Sequence, residues 1–510
     1  MNPHNKKITK NFGYACKIFC QKLKNEYFCR PQIVQWKLLI IKNINMNPLF
    51  EKSVYVARRK ELARKMGSGL LLFLGNNDAP MNYPANTYNF RQDSNFIYYF
   101  GLTAPSLAAI IDIDENRTIL FGDDFTIDDI IWVGDQPSIS TLAAQVGITE
   151  SMPMSKLKGY LRQNASRTIH FTKAYRHDLQ ITLANLLQKS VNVINNYASI
   201  ELHKAIIAMR SIKEAREIAE MEKAADMAWK LHTTVMRNCK PGATEHQLVG
   251  IADGIANGEG NGFSFPIILT QHGEIFHNTD HNVELQKGKL LLVDSGVEGL
   301  MNYCSDMTRT FPVSGKFTQK QKDIYEIVLK ANMEGIKKVK PGTPYRDVHF
   351  AAAEIVMRGL KDLGLMKGDV QEGVRLGAHA LFFPHGLGHQ LGLDVHDMEG
   401  LGEDYVGYND EFKRSDVFGT RNLRMARTLE PGMVMTVEPG IYFIPKLIEL
   451  WRKQKHLADF INYDKLESYL DFGGIRIEDD VVVTAKSHRV LGQAVPKTVA
   501  ELEAIVGKKH

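Results

Sequence analysis

The sequence predicts an α/β protein of α+β character in two parts: a small α/β domain over 46–195 and a larger region over 196–510. Three observations lead there. Short apolar runs alternate with helical stretches between 46 and 195. A long helical pattern opens the second part and stops at Pro241-Gly242. From residue 262 onward strand-like segments dominate, with two helical stretches between them.

In the first part, residues 69–74 form an apolar run closed by Gly75-Asn76-Asn77, which reads as a buried strand. Residues 107–113 and 118–121 read as two more strands, joined by a turn at Asp114-Glu115-Asn116. Helices are expected near 53–66 and 178–189. The long helix of the second part starts from a capping-box pattern, Ser211 with Glu214. Its apolar positions, Ile218, Met221, Ala225, Ala228, Trp229 and Val235, recur at helical spacing. His232 shares that face and reads as a satisfied core histidine rather than a ligand. Strands are expected at 289–294, 302–311, 433–438 and 473–484, and helices at 318–339 and 345–363. Residues 445–470 read as a helical insertion between two strands. No internal repeat is apparent.

The chain has 510 residues, 44% hydrophobic and 24% charged, ordinary values for a globular protein with two or three cores. No run of about 18 apolar residues exists to span a membrane. Residues 1–45 hold nine Lys or Arg and one acidic residue, whereas the remainder carries 54 basic and 57 acidic side chains. The body therefore shows no basic run suited to nucleic acid. The basic stretch fits a start placed too early, with Met46 as the natural beginning, a disordered tail, or a weak transit peptide. Five cysteines at irregular spacing (16, 20, 29, 239 and 304) argue against a disulfide framework and for a reducing cytoplasm.

The chemistry lies in five segments. Leu290-Leu-Leu-Val-Asp294-Ser-Gly ends an apolar strand on a carboxylate, which alone could be a turn. Asp306 lies in a strand-rich stretch where Asp is disfavoured, twelve residues on, a separation that a hairpin can close. Two carboxylates brought together repel unless a cation lies between them. The segment Phe383-Pro-His385-Gly-Leu-Gly-His389-Gln-Leu-Gly-Leu-Asp-Val-His396 interleaves three histidines with glycines, which let backbone crowd a site. Glu438 ends the run Met433-Val-Met-Thr-Val before Pro439-Gly440. Arg476 and Glu478 share one face of a Val/Ile strand by its period of two, and a buried Glu there needs a partner. Four carboxylates and one imidazole suit hard or borderline divalent ions, Mn²⁺ foremost, with Zn²⁺, Co²⁺ or Fe²⁺ as alternatives. Four carboxylates exceed the needs of one ion and suit two. A site of that kind activates water for hydrolysis.

The order Asp294, Asp306, His389, Glu438, Glu478, each in its local context, resembles the pita-bread metallopeptidases over roughly residues 205–505. The resemblance implies two pseudo-symmetric halves around one two-metal site, the first two ligands from one half and Glu438 and Glu478 from the other. The stretch Asn89-Phe90-Arg91-Gln92-Asp93-Ser94-Asn95-Phe96, with Tyr98-Tyr99-Phe100-Gly101, is similar to the N-terminal domain of the proline-specific members, aminopeptidase P and prolidase. Many aminopeptidase P relatives carry an acid where this chain has Asn95. The implied reaction is hydrolysis of Xaa-Pro bonds in proline-containing peptides, with Glu438 as general base. His277, His385 and His396 match non-ligand histidines of the family that hold the carbonyl, the oxyanion and the leaving nitrogen. Arg476 would orient carboxylates. Arg424 matches the arginine that receives a dipeptide carboxylate in prolidase, although Arg421, Arg424 and Arg427 also read as a solvated basic patch. Xaa-Pro aminopeptidase is the leading expectation and Xaa-Pro dipeptidase the alternative. A metal-free pita-bread binding module is a remote third, disfavoured because all five ligands are present. Homodimers or higher homo-oligomers are usual in the family.

Overall fold

The computed structural model describes residues 49–508. The basic stretch 1–45 therefore lies outside the described residues.

A five-stranded mixed sheet comes first. Its order is Glu150–Met152, Arg117–Phe121, Ala108–Asp112, Leu70–Leu74 and Ile169–His170. The central strands read Leu-Leu-Leu-Phe-Leu and Ala-Ala-Ile-Ile-Asp because both faces are covered. Helix Lys52–Met66 and helix Ser94–Phe100 cover one face. The second helix is capped by Asp93, whose side chain accepts from the Phe96 N–H. Its seven residues are all buried, and it lies between this sheet and the second part of the chain, bonding Met209 through Tyr98 and Arg210 through Asn95.

The second part is built twice. Helices Ala215–Asn238 and Glu245–Glu259 pack on a three-stranded sheet of Met307–Pro312, Leu290–Ser295 and Ile268–Thr270. Helices Gln319–Lys338 and Tyr345–Asp362 pack together beside strands Val434–Val437, Asp479–Val483 and His488–Val490. Each long helix ends at Lys-Pro-Gly, residues 240–242 and 340–342, and both glycines are left-handed, with φ of 83° and 81°. The internal repeat missing from the sequence is thus present in the structure. Beyond that tripeptide, packing repeats while residue identity does not.

Three expected boundaries move. The long helix starts at Ala215 with Glu214 as its cap and Glu217 completing the box, whereas Ser211 ends the preceding helix, Ile200–Arg210. Residues 302–311 are strand only from Met307. The expected 473–484 strand is two: Gly474–Arg476 pairs with Gly440–Tyr442, and Asp479–Val483 pairs with Val434–Val437. Ile477 and Glu478 occupy the break. Residues 445–470 do form a helical insertion, Pro445–Gln454 followed by short turns.

Candidate metal centre

The two halves meet edge to edge, and the carboxylates lie along the seam. Strands Leu290–Ser295 and Met307–Pro312 pair antiparallel, Asp294 opposite Thr308. The connecting turn is tight at Gly296, where an added Cβ would lie 1.7 Å from the Ser305 carbonyl oxygen. That closeness returns the chain so that Asp306 faces Asp294. From the other half, residues 387–389 lie against the 434–437 strand: the His389 N–H donates to Thr436 Oγ1 (3.1 Å), and the Glu438 N–H donates to the Leu387 carbonyl (2.8 Å). Gly388 permits this approach, because a Cβ there would sit 2.1 Å from the Thr436 carbonyl oxygen. His389 and Glu438 are thereby neighbours, Nε2 to Oε1 3.7 Å.

Across the seam the Glu478 N–H donates to the Thr308 carbonyl (3.0 Å), and the Thr308 hydroxyl donates to Glu478 Oε2 (2.6 Å). Arg476 donates to Asp294, to Thr308 Oγ1 (3.1 Å) and to the Tyr442 hydroxyl (2.8 Å). The Asp306 N–H donates to Asp480 (3.0 Å). Behind the site, Arg309 is fully buried and spends all five N–H groups on the Thr308, Glu478, Val495 and Pro496 carbonyls and the Asp479 carboxylate. The Glu478 peptide is thus held from both sides.

Asp306, His389 and Glu478 each offer a ligand atom within 4.8 Å of one another. The Nδ1 of His389 donates to the Gln390 carbonyl (3.0 Å), which leaves the Nε2 lone pair for the site. Asp294 Oδ1 and Asp306 Oδ1 are buried with no hydrogen-bond partner. Burial, with Asp294 alongside, drives the Asp306 carboxyl well above its ordinary range. Burial also raises Glu438 to about 8, and Glu478 well above its usual value beside Asp306 and Glu438. Bare buried carboxylate oxygens that resist ionisation, set beside a neutral imidazole, fit divalent cations.

All ten residues singled out in the sequence line one cavity of about 570 Å³: His277, Asp294, Asp306, His385, His389, His396, Arg424, Glu438, Arg476 and Glu478. Phe265, Ile268, Phe276, Pro384 and Val395 supply apolar wall. Of the three histidines in the 271–281 loop only His277 reaches it; His272 bonds Glu274 and His281 bonds the Leu269 carbonyl. His385 has both nitrogens engaged: Nδ1 donates to the Gly386 carbonyl (2.8 Å), and Nε2 accepts from Tyr442 (2.8 Å). His232 is buried, 3.1 Å from the Ser295 carbonyl, with no part in the cavity. The arginine cluster splits: Arg424 lines the cavity, Arg427 donates to Ser211, and Arg421 lies over Phe418.

Sequence reading missed Thr308, Tyr442, Asp480 and a buried ionic cluster. Arg210 and Lys213 grip Asp397 (2.7 and 3.0 Å), next to His396, and Arg210 also bonds Asp394. Ser94, Asn95 and Arg91 of the 89–101 stretch join that cluster. Asn95 Oδ1 accepts from Arg210 (2.6 Å), so it enters the cluster as a neutral acceptor.

The sequence pattern of metallopeptidase family M24 matches residues 219–485, and that of the aminopeptidase P N-terminal domain matches residues 55–170. Xaa-Pro aminopeptidase of Escherichia coli (strain K12) is 31% identical over 467 residues, covering 88% of this chain and 96% of its own length. Xaa-Pro dipeptidase of Homo sapiens is 31% identical over 457 residues, covering 88% and 90%. The solved structure of an Escherichia coli aminopeptidase P variant in complex with substrate superposes with a TM-score of 0.75 at 29% identity, covering 90% of this chain and 98% of that one. An aminopeptidase of Pseudomonas aeruginosa gives 0.73 at 29% identity with the same coverage.

Proposed function

The chain belongs to metallopeptidase family M24, and from that premise we propose that it is an Xaa-Pro aminopeptidase, releasing the residue that precedes proline at the N-terminus of peptides. Its fold is an aminopeptidase P-type N-terminal domain followed by a pita-bread metallopeptidase domain. One observation carries the reading: candidate ligands and histidines scattered from 277 to 478 converge on a single half-apolar cavity of about 570 Å³.

Divalent ions, proposed as a pair and as Mn²⁺ foremost, would be held by Asp294, Asp306, His389, Glu438 and Glu478 and would supply Lewis-acid polarisation of the scissile carbonyl and of water. Glu438 accepts a proton from the attacking water and passes it to the leaving imide nitrogen. The leaving proline nitrogen needs one proton to depart as an amine, and the attacking water supplies it through Glu438. His277 would offer a ring N–H to the developing oxyanion, and His396, an acceptor at Nε2, would receive the N–H of the protonated leaving nitrogen. His385, an acceptor at Nε2, would join them by taking a substrate N–H in place of the Tyr442 hydroxyl. Arg476 holds Asp294 in place. The apolar wall of Phe265, Ile268 and Phe276 excludes water around the proline ring.

A second reading, Xaa-Pro dipeptidase, is favoured by Arg424: its Nε faces Glu399 while its terminal amino groups have no partner among the described residues and suit a free carboxylate. A cytoplasmic location agrees with two free thiols, Cys239 and Cys304. Assembly into a homodimer or higher oligomer agrees with the exposed run Ile127, Ile131, Trp132 and Val133. Among the described residues no helix is long and apolar enough to cross a membrane.

The deciding experiment gives Mn²⁺-loaded protein both Xaa-Pro and Xaa-Pro-Yaa-Zaa. Release of Xaa from the longer peptide is the expected result. Cleavage of the dipeptide alone selects the second reading, and cleavage of neither, with or without divalent metal, removes both.

A further inference from the structure

One carboxylate on the cavity's outer wall holds two of its lining residues. Glu399 Oε2 lies 2.7 Å from Nδ1 of His396 and 3.4 Å from Nε of Arg424. The chain delivers it there through a buried, left-handed residue, Met398, with φ of 64°. A non-glycine residue in that region is strained and needs its surroundings to hold it. The Met398 N–H donates to Asp394 (3.3 Å), and the Glu399 N–H donates to the His396 carbonyl (3.2 Å), folding Glu399 back over the ring. On its other flank His396 is anchored through Asp397, gripped by Arg210 and Lys213. Its ring packs edge-on against His389, centroids 4.3 Å apart.

A neutral imidazole has two tautomers, and the partner at one nitrogen selects between them. A carboxylate at Nδ1 makes that nitrogen the donor and leaves Nε2 to the cavity, where it bonds no described residue. The same oxygen draws on Arg424 only through Nε, so the plane of the guanidinium is set without using its terminal fork.

We propose that Glu399 is a positioning residue for the peptidase reaction, fixing the tautomer and ring of His396 and the plane of Arg424 while touching no reacting atom itself. This rests on the Xaa-Pro peptidase reading above. Glu399 is exposed and its contacts are polar, so its removal leaves the core intact and exposes any functional part cleanly. A mere surface ion pair would leave turnover unchanged.

The test is a double-mutant cycle on Xaa-Pro-Yaa-Zaa cleavage, combining Glu399→Ala with His396→Ala. Glu399→Ala should lower kcat/KM roughly 10- to 100-fold, as loss of a partner orienting a metal-site histidine does, with melting temperature and bound metal unchanged. Glu399→Gln, which keeps an acceptor for Nδ1, should recover part of that loss. In the His396→Ala background the Glu399→Ala loss should shrink to the part that passes through Arg424. Wild-type activity of Glu399→Ala, or an equal loss in both backgrounds, would overturn the proposal. A second arm needs no turnover: ¹⁵N-histidine NMR of the zinc-loaded protein, with His396→Ala as the assignment control. The Nδ1-protonated tautomer of His396 should be present in the wild type and lost or mixed in Glu399→Ala; an unchanged tautomer overturns the proposal. Wild-type protein that shows this signature yet cleaves no Xaa-Pro bond refutes the peptidase reading instead.

Discussion

Thr308 shows how much one hydroxyl does here. It donates to Glu478 and accepts from Arg476, so it joins a candidate ligand to the arginine that holds Asp294. Thr308→Val keeps the shape and removes both bonds. Metal affinity, titrated with Mn²⁺, should fall about 10- to 100-fold, with Thr308→Ser near wild type. Glu438→Gln removes the proton acceptor while keeping size; kcat on Xaa-Pro-Yaa-Zaa should fall by about 10² to 10⁴, with circular dichroism unchanged. At this scale the sequence was informative wherever a residue type was out of place: an Asp among strand residues, an acid ending an apolar run, histidines among glycines. Thr308 went unnoticed because Thr-Arg-Thr is ordinary strand sequence. Its signal was the period of two from Asp306, which puts Thr308 and Thr310 on the same face. Asp480 hid as one acid of an adjacent pair, and Glu399 as one acid in a turn.

Elements were legible where periodicity decides and ambiguous where tertiary contacts do. The 319–338 and 345–362 helices lie within a residue of their expected bounds, because both carry long amphipathic patterns closed by clear stops. The 215–238 helix starts later than its apparent box because Lys213 is pulled out of helical geometry: its N–H donates to the Gly432 carbonyl, and its ammonium reaches Asp397. The 473–484 strand divides because two sheets claim its halves, which no local pattern reveals. The hairpin that brings Asp306 to face Asp294 depends on Gly296. Gly296→Ala would press a methyl into the Ser305 carbonyl, costing about 1–3 kcal/mol in denaturant unfolding and weakening metal retention together.

For the molecule as a whole, the buried carboxylates link stability to metal and to pH. Glu438 has its folded value raised to about 8, above that of the unfolded chain, so between pH 4.5 and 8 the folded metal-free protein binds more protons. Its stability therefore falls as pH rises through that window. Bound cations favour the ionised form and remove the trend. The melting-temperature gap between metal-loaded and chelated protein should accordingly widen from pH 5 to pH 8. In the loaded protein the opposite slope should appear at lower pH. Burial lowers His203, His232 and His379 to about 4 and His349 well below 6.5, so the unfolded chain takes up protons that the folded one refuses. In the metal-loaded protein, stability read from urea midpoints should fall as pH drops from about 6.5 toward 4. The internal duplication was not legible because it survives in packing and one tripeptide rather than in aligned residues. Finally, the way Arg309 fastens Glu478 to the carbonyls of Val495 and Pro496 sets a calendar for the site. Asp294 and Asp306 leave the ribosome about two hundred residues before the segment that completes their surroundings. A nascent chain thus carries its first acids without the second half that organises them, and metal loading becomes an event of the finished fold rather than of translation.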